Sequence, residues 1–119
     1  MQTFNNEKEI KAYRFVKFSA NSDSKVETAT TGADNIIGIS DSINSNANDI
    51  ADISINGEIA QVEAGGAFSA GDALTCDSEG RAIKASSTDN IGAIAHQDAS
   101  AEGDIVRVIV NIQRTIVTE

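Results

Sequence analysis

Short apolar runs separated by clusters of Gly, Asn, Asp and Ser extend along the whole chain, and none has the length or 3.6-residue period of a helix longer than two turns. Ala12–Phe18 and Lys25–Thr31 are rich in aromatic and β-branched residues and read as strands, as does Ile36–Ser40. The Ser42–Asp49 stretch is an asparagine-rich loop, because Asn and Asp side chains bond their own backbone and favour turns. Ile53-Ser54-Ile55 alternates with period two, and Asn56-Gly57 then Glu58–Val62 predict a tight hairpin with its returning strand. Leu74–Cys76, the Asp77–Gly80 turn and Arg81–Ala85 predict a second hairpin, with Gly80 supplying a positive φ at the end of its loop. Gly71-Asp72 marks a further turn ahead of that hairpin. Ile91–Ala95 reads as a buried strand in which Gly92 permits close backbone approach. The closing run Asp104–Val117 is apolar on both alternating faces, the pattern of a central strand.

Two segments echo each other. D-N-I-I-G-I-S (Asp34–Ser40) followed by D-I-A-D-I-S-I (Asp49–Ile55) resembles D-N-I-G-A-I-A (Asp89–Ala95) followed by D-I-V-R-V-I-V (Asp104–Val110), at an offset of about 55 residues. Two strand-loop-strand units of this kind suit a pseudo-symmetric small barrel. The chain has no Pro, and its nine glycines fall among the turns of an all-β pattern.

Composition changes this picture in two ways. A chain of 119 residues with 4% aromatic content and no Trp must fill its core with Ile, Val, Ala and Leu, so an oligomer interface would usefully extend that core. The net charge of −9 and pI near 4.4 argue against nucleic acid, whose phosphates need a basic face, and against anionic membrane surfaces. The charge is also segregated. Residues 1–18 hold four of the five aromatics and four basic side chains against two acidic ones, while the remainder holds five basic and sixteen acidic. The first eleven residues therefore read as an arm with its own neighbour, ahead of a body spanning residues 12–119. Within residues 1–18, Phe4, Tyr13, Arg14 and Phe15 are the candidate capsid or subunit interface residues, since aromatics and Arg dominate interface anchors; the alternative is that these aromatics plug one end of the core.

Candidate chemistry is sparse. The single cysteine, Cys76, excludes an intrachain disulfide, and pairing it with His96 as a nucleophile and base has no support in the spacing. Asp72, Asp77 and Glu79 are acidic turn residues, but Asp77–Gly80 lacks the ligand spacing of a calcium loop. No phosphate-binding glycine motif occurs, and neither predicted hairpin tip carries the lysine that a lipoyl or biotinyl carrier presents. A sugar cleft would want aromatic platforms that the body of the chain lacks. No cofactor, metal or catalytic group is expected. No charged-then-apolar leader and no apolar run of membrane-spanning length is present.

The segment V-E-A-G-G-A-F-S-A-G-D-A-L-T-C-D-S-E-G-R-A-I-K-A from Val62, followed by I-G-A-I-A and by D-A-S-A-E-G-D-I-V-R-V-I-V, resembles the bacteriophage head decoration, or capsid cement, proteins. The likeness extends over roughly Ala12–Ile112, departing in the first dozen residues and in the Ser42–Asp49 loop. It implies a compact β-barrel or β-tulip-like single domain with an N-terminal arm. It further implies a non-enzymatic protein of the virion that binds the outside of an icosahedral head as a homotrimer, bridges major capsid subunits and is assembled in the host cytoplasm. A tail or baseplate structural module, or a small β-sandwich that binds a ligand such as carbohydrate, would share the acidic, site-free composition.

Overall fold

A computed structural model describes residues 2–6, 8–19, 25–41, 46, 49–86 and 88–113. Ten strands account for the regular structure among them: β1 (Gln2–Asn6), β2 (Phe15–Phe18), β3 (Lys25–Thr28), β4 (Ile36–Ser40), β5 (Ile50–Ser54), β6 (Ile59–Glu63), β7 (Ala73–Cys76), β8 (Ala82–Lys84), β9 (Ile91–Ala95) and β10 (Ile105–Gln113). The first five close into a barrel in the order β1-β3-β2-β4-β5, with β5 returning to β1. The last five form a sheet in the order β6-β10-β9-β7-β8. This is a single small all-β domain.

The two halves are built to one plan. Read from β3, the barrel runs β3-β2-β4-β5-β1; read from β8, the sheet runs β8-β7-β9-β10-β6. Each strand of the first half thus has its counterpart five elements later, and the pairings agree in direction. The repeated sequence segments are β4 with β5 and β9 with β10. In each unit the opening Asp is built alike: the Asp34 carboxylate accepts from the Thr31 N–H at 3.3 Å, and the Asp89 carboxylate accepts from the Ser86 N–H at 2.9 Å. Closure is where the halves part. Parallel β1 and β3 pair through Asn5↔Lys25 and Asn6↔Val26, whereas β6 and β8 meet only through one parallel bridge, Ala64↔Ala82.

Packing follows the period-two alternation. In β10, Val106, Val108 and Val110 are buried while Ile105, Arg107 and Ile109 face outward. A larger core joins both halves: Phe15, Ala29, Ile36 and Ile39 of the first pack with Val62, Leu74, Val106, Val108 and Val110 of the second. A smaller one, Ile10, Val16, Val26, Ala51 and Ile53, fills the barrel and is flanked by Phe4 and Ile37. Gly92 has the expected close approach, since a Cβ there would lie 2.6 Å from the Phe15 ring.

Three expectations change. Residues 1–11 are no separate arm: Gln2–Asn6 is a stave of the barrel, paired with β5 on one side and β3 on the other. Its Gln-Thr-Phe-Asn-Asn sequence lacks an apolar alternation because only its last residue, Asn6, is fully enclosed. Asn56-Gly57 does form a turn, with the Glu58 N–H donating to the Ile55 carbonyl at 3.1 Å, but β5 and β6 do not pair across it. Only Gly57 of the two has positive φ, +92°, the pattern of a type II turn, which splays the flanking strands; the tight hairpin turns, types I′ and II′, both need positive φ at the first central residue, here Asn56. The corner is held by β10 instead: the Gly57 N–H donates to the Val110 carbonyl at 2.7 Å, and the Ile112 N–H to the Asn56 side-chain oxygen at 2.8 Å. Finally, β10 is central as expected, between β6 and β9, yet its odd face is exposed. Of the predicted Ser42–Asp49 loop, only Asn46 and Asp49 lie within the described residues, and the end of the last run, 114–117, lies outside them.

Candidate docking surface

The turn residues picked out by sequence form a scaffold of capped corners. Ile55–Glu58, Ser69–Asp72 and Ala101–Asp104 share one design, in which Gly at the third position takes positive φ and the fourth residue's carboxylate bonds the first residue's N–H. For Asp72 that bond to the Ser69 N–H is 2.9 Å, and Gly71 has a φ of +92°. The β7–β8 hairpin turn is drawn in further: Asp77 accepts from the N–H groups of Glu79 and Arg81, both at 2.9 Å, and pairs with the Arg81 guanidinium at 3.0 Å. Gly80 there has φ +79°. Much of the acidity is therefore turn chemistry, with carboxylates satisfying backbone donors. The Asp104 carboxyl is held below its ordinary value by the Ser100 hydroxyl and by the N–H groups of Ser100 and Ala101.

Cys76 carries no nucleophile. It is 2% exposed, its thiol donates to the Thr31 carbonyl at 3.1 Å, and burial, aided by the Asp34 and Asp77 carboxylates, pushes it up to about 12. His96 sits exposed just beyond β9. Among the described residues no group of three His, Cys, Asp or Glu side chains could hold a metal ion.

The four interface candidates occupy different places. Phe15 is fully buried where the halves meet and presents no surface to a partner. Arg14 clips the halves together: its guanidinium pairs with Glu63 at 3.2 Å and donates to the Glu79 carbonyl at 3.2 Å and the Ala12 carbonyl at 3.3 Å. Its backbone is anchored within the first half, with the Arg14 N–H donating to the Ser40 hydroxyl of β4 at 2.9 Å. Phe4 is half-buried on β1 and meets Phe18 edge-to-face, ring centroids 5.9 Å apart; Phe18 is 47% exposed.

Tyr13 is the unusual one. It is the only non-glycine with positive φ among the described residues, at +62°, a region that costs a bulky side chain of the order of 1–3 kcal/mol. The conformation is held by bonds at both ends. Its N–H donates to the Asp41 carbonyl at 3.3 Å, and its carbonyl accepts from the Glu63 N–H at 3.0 Å. The side chain lines a groove of about 280 Å³ along the seam between the halves, together with Ser40, Asp41, Ser54, Gln61 and Arg107.

Beside that groove lies a feature that sequence reading missed. On the outer face of the second sheet, Ile59, Ile109, Ile94 and Ala73 stand in register across β6, β10, β9 and β7. Ile59 is 63% and Ile109 36% exposed, and Ile105 farther along β10 is 40% exposed. The alternation of β10 signalled two apolar faces. Which of them lacks a cover depends on where the first half packs, and that is a tertiary fact.

Comparison with known proteins places the chain. The family model for phage cement proteins matches residues 1–112. No curated protein matches. Among solved structures, the head fiber gp8.5 N base of bacteriophage phi29 is similar, at 20% identity, with a TM-score of 0.71 and with 99% of this chain and 97% of that one covered. An all-β scaffold with carboxylates engaged in turns, a buried neutral thiol and an uncovered apolar row is the build of a structural protein, and the chain belongs to the phage cement protein family, as a protein that decorates the phage capsid.

Proposed function

We propose that this protein binds the outer surface of an icosahedral phage head as a homotrimer, bridges neighbouring major capsid subunits, and adds itself to heads in the host cytoplasm without catalysing any reaction. The observation that carries this reading is the uncovered isoleucine row, with Ile59 63% exposed, in a protein of a cement family. Burying such a row against a partner is favourable by roughly 25 cal/mol per Å² of apolar surface. A protein that binds only the assembled lattice stabilises it by mass action, and three weak contacts held on one trimer gain about 10² to 10⁴ in avidity when geometry lets them engage together.

Of the four residues proposed for the interface, Tyr13 faces the capsid along the seam groove, and Phe4 with its neighbour Phe18 packs between subunits of the trimer. Arg14 and Phe15 brace the platform that presents them. The acidic body keeps an abundant surface protein soluble.

Light scattering of the purified protein, followed by co-sedimentation with expanded heads that lack it, tests the reading. A trimer that saturates heads at a fixed stoichiometry and raises their resistance to heat supports it. A monomer that stays in the supernatant contradicts it.

A further inference from the structure

The second half of the molecule has a free strand edge where the first has none. The bonds that flank the β6–β10 ladder fall on even residues: just before β6 the Glu58 carbonyl accepts from the Val110 N–H at 2.8 Å, and just after it the Ala64 N–H donates to the Asp104 carbonyl at 2.7 Å, in the register that pairs Ala60 with Val108 and Val62 with Val106. The N–H and C=O groups of the odd residues Ile59, Gln61 and Glu63 therefore point away from β10, because successive backbone groups alternate in direction along a strand. Glu63 spends its N–H on the Tyr13 carbonyl at 3.0 Å. Among the described residues, Ile59 and Gln61 have no backbone partner on this side, as β6 pairs with β10 alone. The equivalent edge of the first half, on β1, is occupied by β3.

This edge also lacks the usual protection. An exposed strand edge is ordinarily blunted by Lys, Pro, a bulge or a covering loop. The opposite edge, β8, shows two of these devices: Lys84 stands on it, and the Gly65 N–H covers its start by donating to the Ala82 carbonyl at 2.7 Å. The β6 edge shows an exposed isoleucine and a glutamine, and opens onto the seam groove that Tyr13 lines.

We infer that the β6 edge at Ile59–Gln61 is a strand-accepting site, and that its occupant is an extended segment of the capsid carrying an apolar residue and, two positions away, an acidic one. The inference rests on the cement reading. Four unpaired backbone groups, two donors and two acceptors, call for an extended backbone rather than a helix or a small molecule. The side chains set the rest. A strand laid beside β6 places alternate residues on the outer face, one of them next to Ile59 at the end of the Ala73–Ile94–Ile109–Ile59 row, where an apolar side chain continues the row. The next outward residue falls beside Gln61, whose partner across β10 is Arg107. The Arg107 guanidinium makes no ion pair among the described residues, while those of Arg14 and Arg81 are taken by Glu63, and by Asp77, Glu79 and Glu102. An acidic side chain at that position complements it.

Hydrogen exchange of the intact protein, alone and with expanded heads that lack it, tests the site. The Ile59 and Gln61 amides exchange freely in the isolated protein and slow by about tenfold when free head sites exceed Kd tenfold. Gln61→Pro is the matched variant: the N–H it removes has no partner, so the fold keeps its melting temperature, while the ring blocks strand addition and weakens head binding by about tenfold or more. Arg107→Glu keeps the edge but reverses the charge, and also weakens binding. Heads that bind the protein while both amides still exchange freely, or that bind Gln61→Pro and Arg107→Glu as tightly as the parent, overturn the edge site and leave the cement reading standing. A protein that ignores heads overturns both. Amides already protected in the isolated protein at high concentration assign the edge to a second copy and overturn the capsid occupant.

Discussion

The two halves of this molecule share one strand order and differ in how they end. In the first, β1 and β3 pair and the barrel closes over a small core of its own. In the second, a single bridge between Ala64 and Ala82 stands where a ladder would close it, and the sheet completes its core by packing on Phe15, Ile36 and Ile39 of the first half. Closure removes edges, and with them the backbone groups that could recruit another chain. Leaving one copy of the plan open yields a free edge and an uncovered face without any change of architecture. In this reading the closed half acts as a brace and the open half as the side that binds.

The largest effect is expected where the halves depend on each other. Phe15→Ala leaves a cavity in the shared core and costs about 3–5 kcal/mol, read as a lower midpoint in urea unfolding. Because the ring serves both halves, fluorescence of Tyr13 and far-UV circular dichroism are expected to report one common transition. Two separated transitions would mean that the barrel folds independently, and the comparison would then concern two domains rather than two halves of one.

The glycines sharpen the contrast between seam and corner. Gly57→Ala puts a side chain at φ +92° with nothing within 4 Å, so only backbone strain of about 1–2 kcal/mol is expected. Gly80→Ala adds a collision, since its Cβ would lie 2.6 Å from the Thr28 methyl and 3.2 Å from the Ala29 carbonyl, both in the first half. Overpacking of that kind adds about 1–3 kcal/mol. Equal losses for the two variants would show that the seam at Gly80 yields freely.

The smallest effect concerns the capped turns. The Asp104 carboxyl is lowered by the Ser100 hydroxyl and neighbouring N–H groups, so the stability it supplies is complete above its ordinary unfolded value and is lost as pH falls through the lower folded value. Asp104→Ala is therefore expected to melt slightly below the parent at pH 7 and to converge with it in strong acid. A gap that persists unchanged at pH 2 would assign the effect to something other than the carboxylate's charge.

Much of the scaffold was legible because its signals are local. The β4 and β9 strands fall on the predicted residues, the β7–β8 hairpin forms around Asp77–Gly80, and Gly80 and Gly92 have the conformation and the close contact their places implied. The repeated segments flagged the duplication, although they marked only two of the five strands in each half. What escaped depends on distant partners. Gln2–Asn6 is a strand because β5 and β3 receive it from either side, and nothing in its composition says so. Asn56-Gly57 carries a hairpin's sequence, yet β10 captures the corner and sends β6 into the other sheet. The docking candidates divided for the same reason: aromatic residues clustered near the start of a chain can be core or anchor, and the seam decides that Phe15 is core while Tyr13 is held, strained, beside a groove.

Electron cryomicroscopy of expanded heads saturated with the purified protein tests the division of labour most directly. Density from the shell is expected to meet the open half along the β6 edge and the Ile59–Ile109 row, with Tyr13 at the contact and the closed barrel turned away. A reconstruction in which the barrel alone touches the shell, while the β6 edge and isoleucine row face solvent, would contradict it.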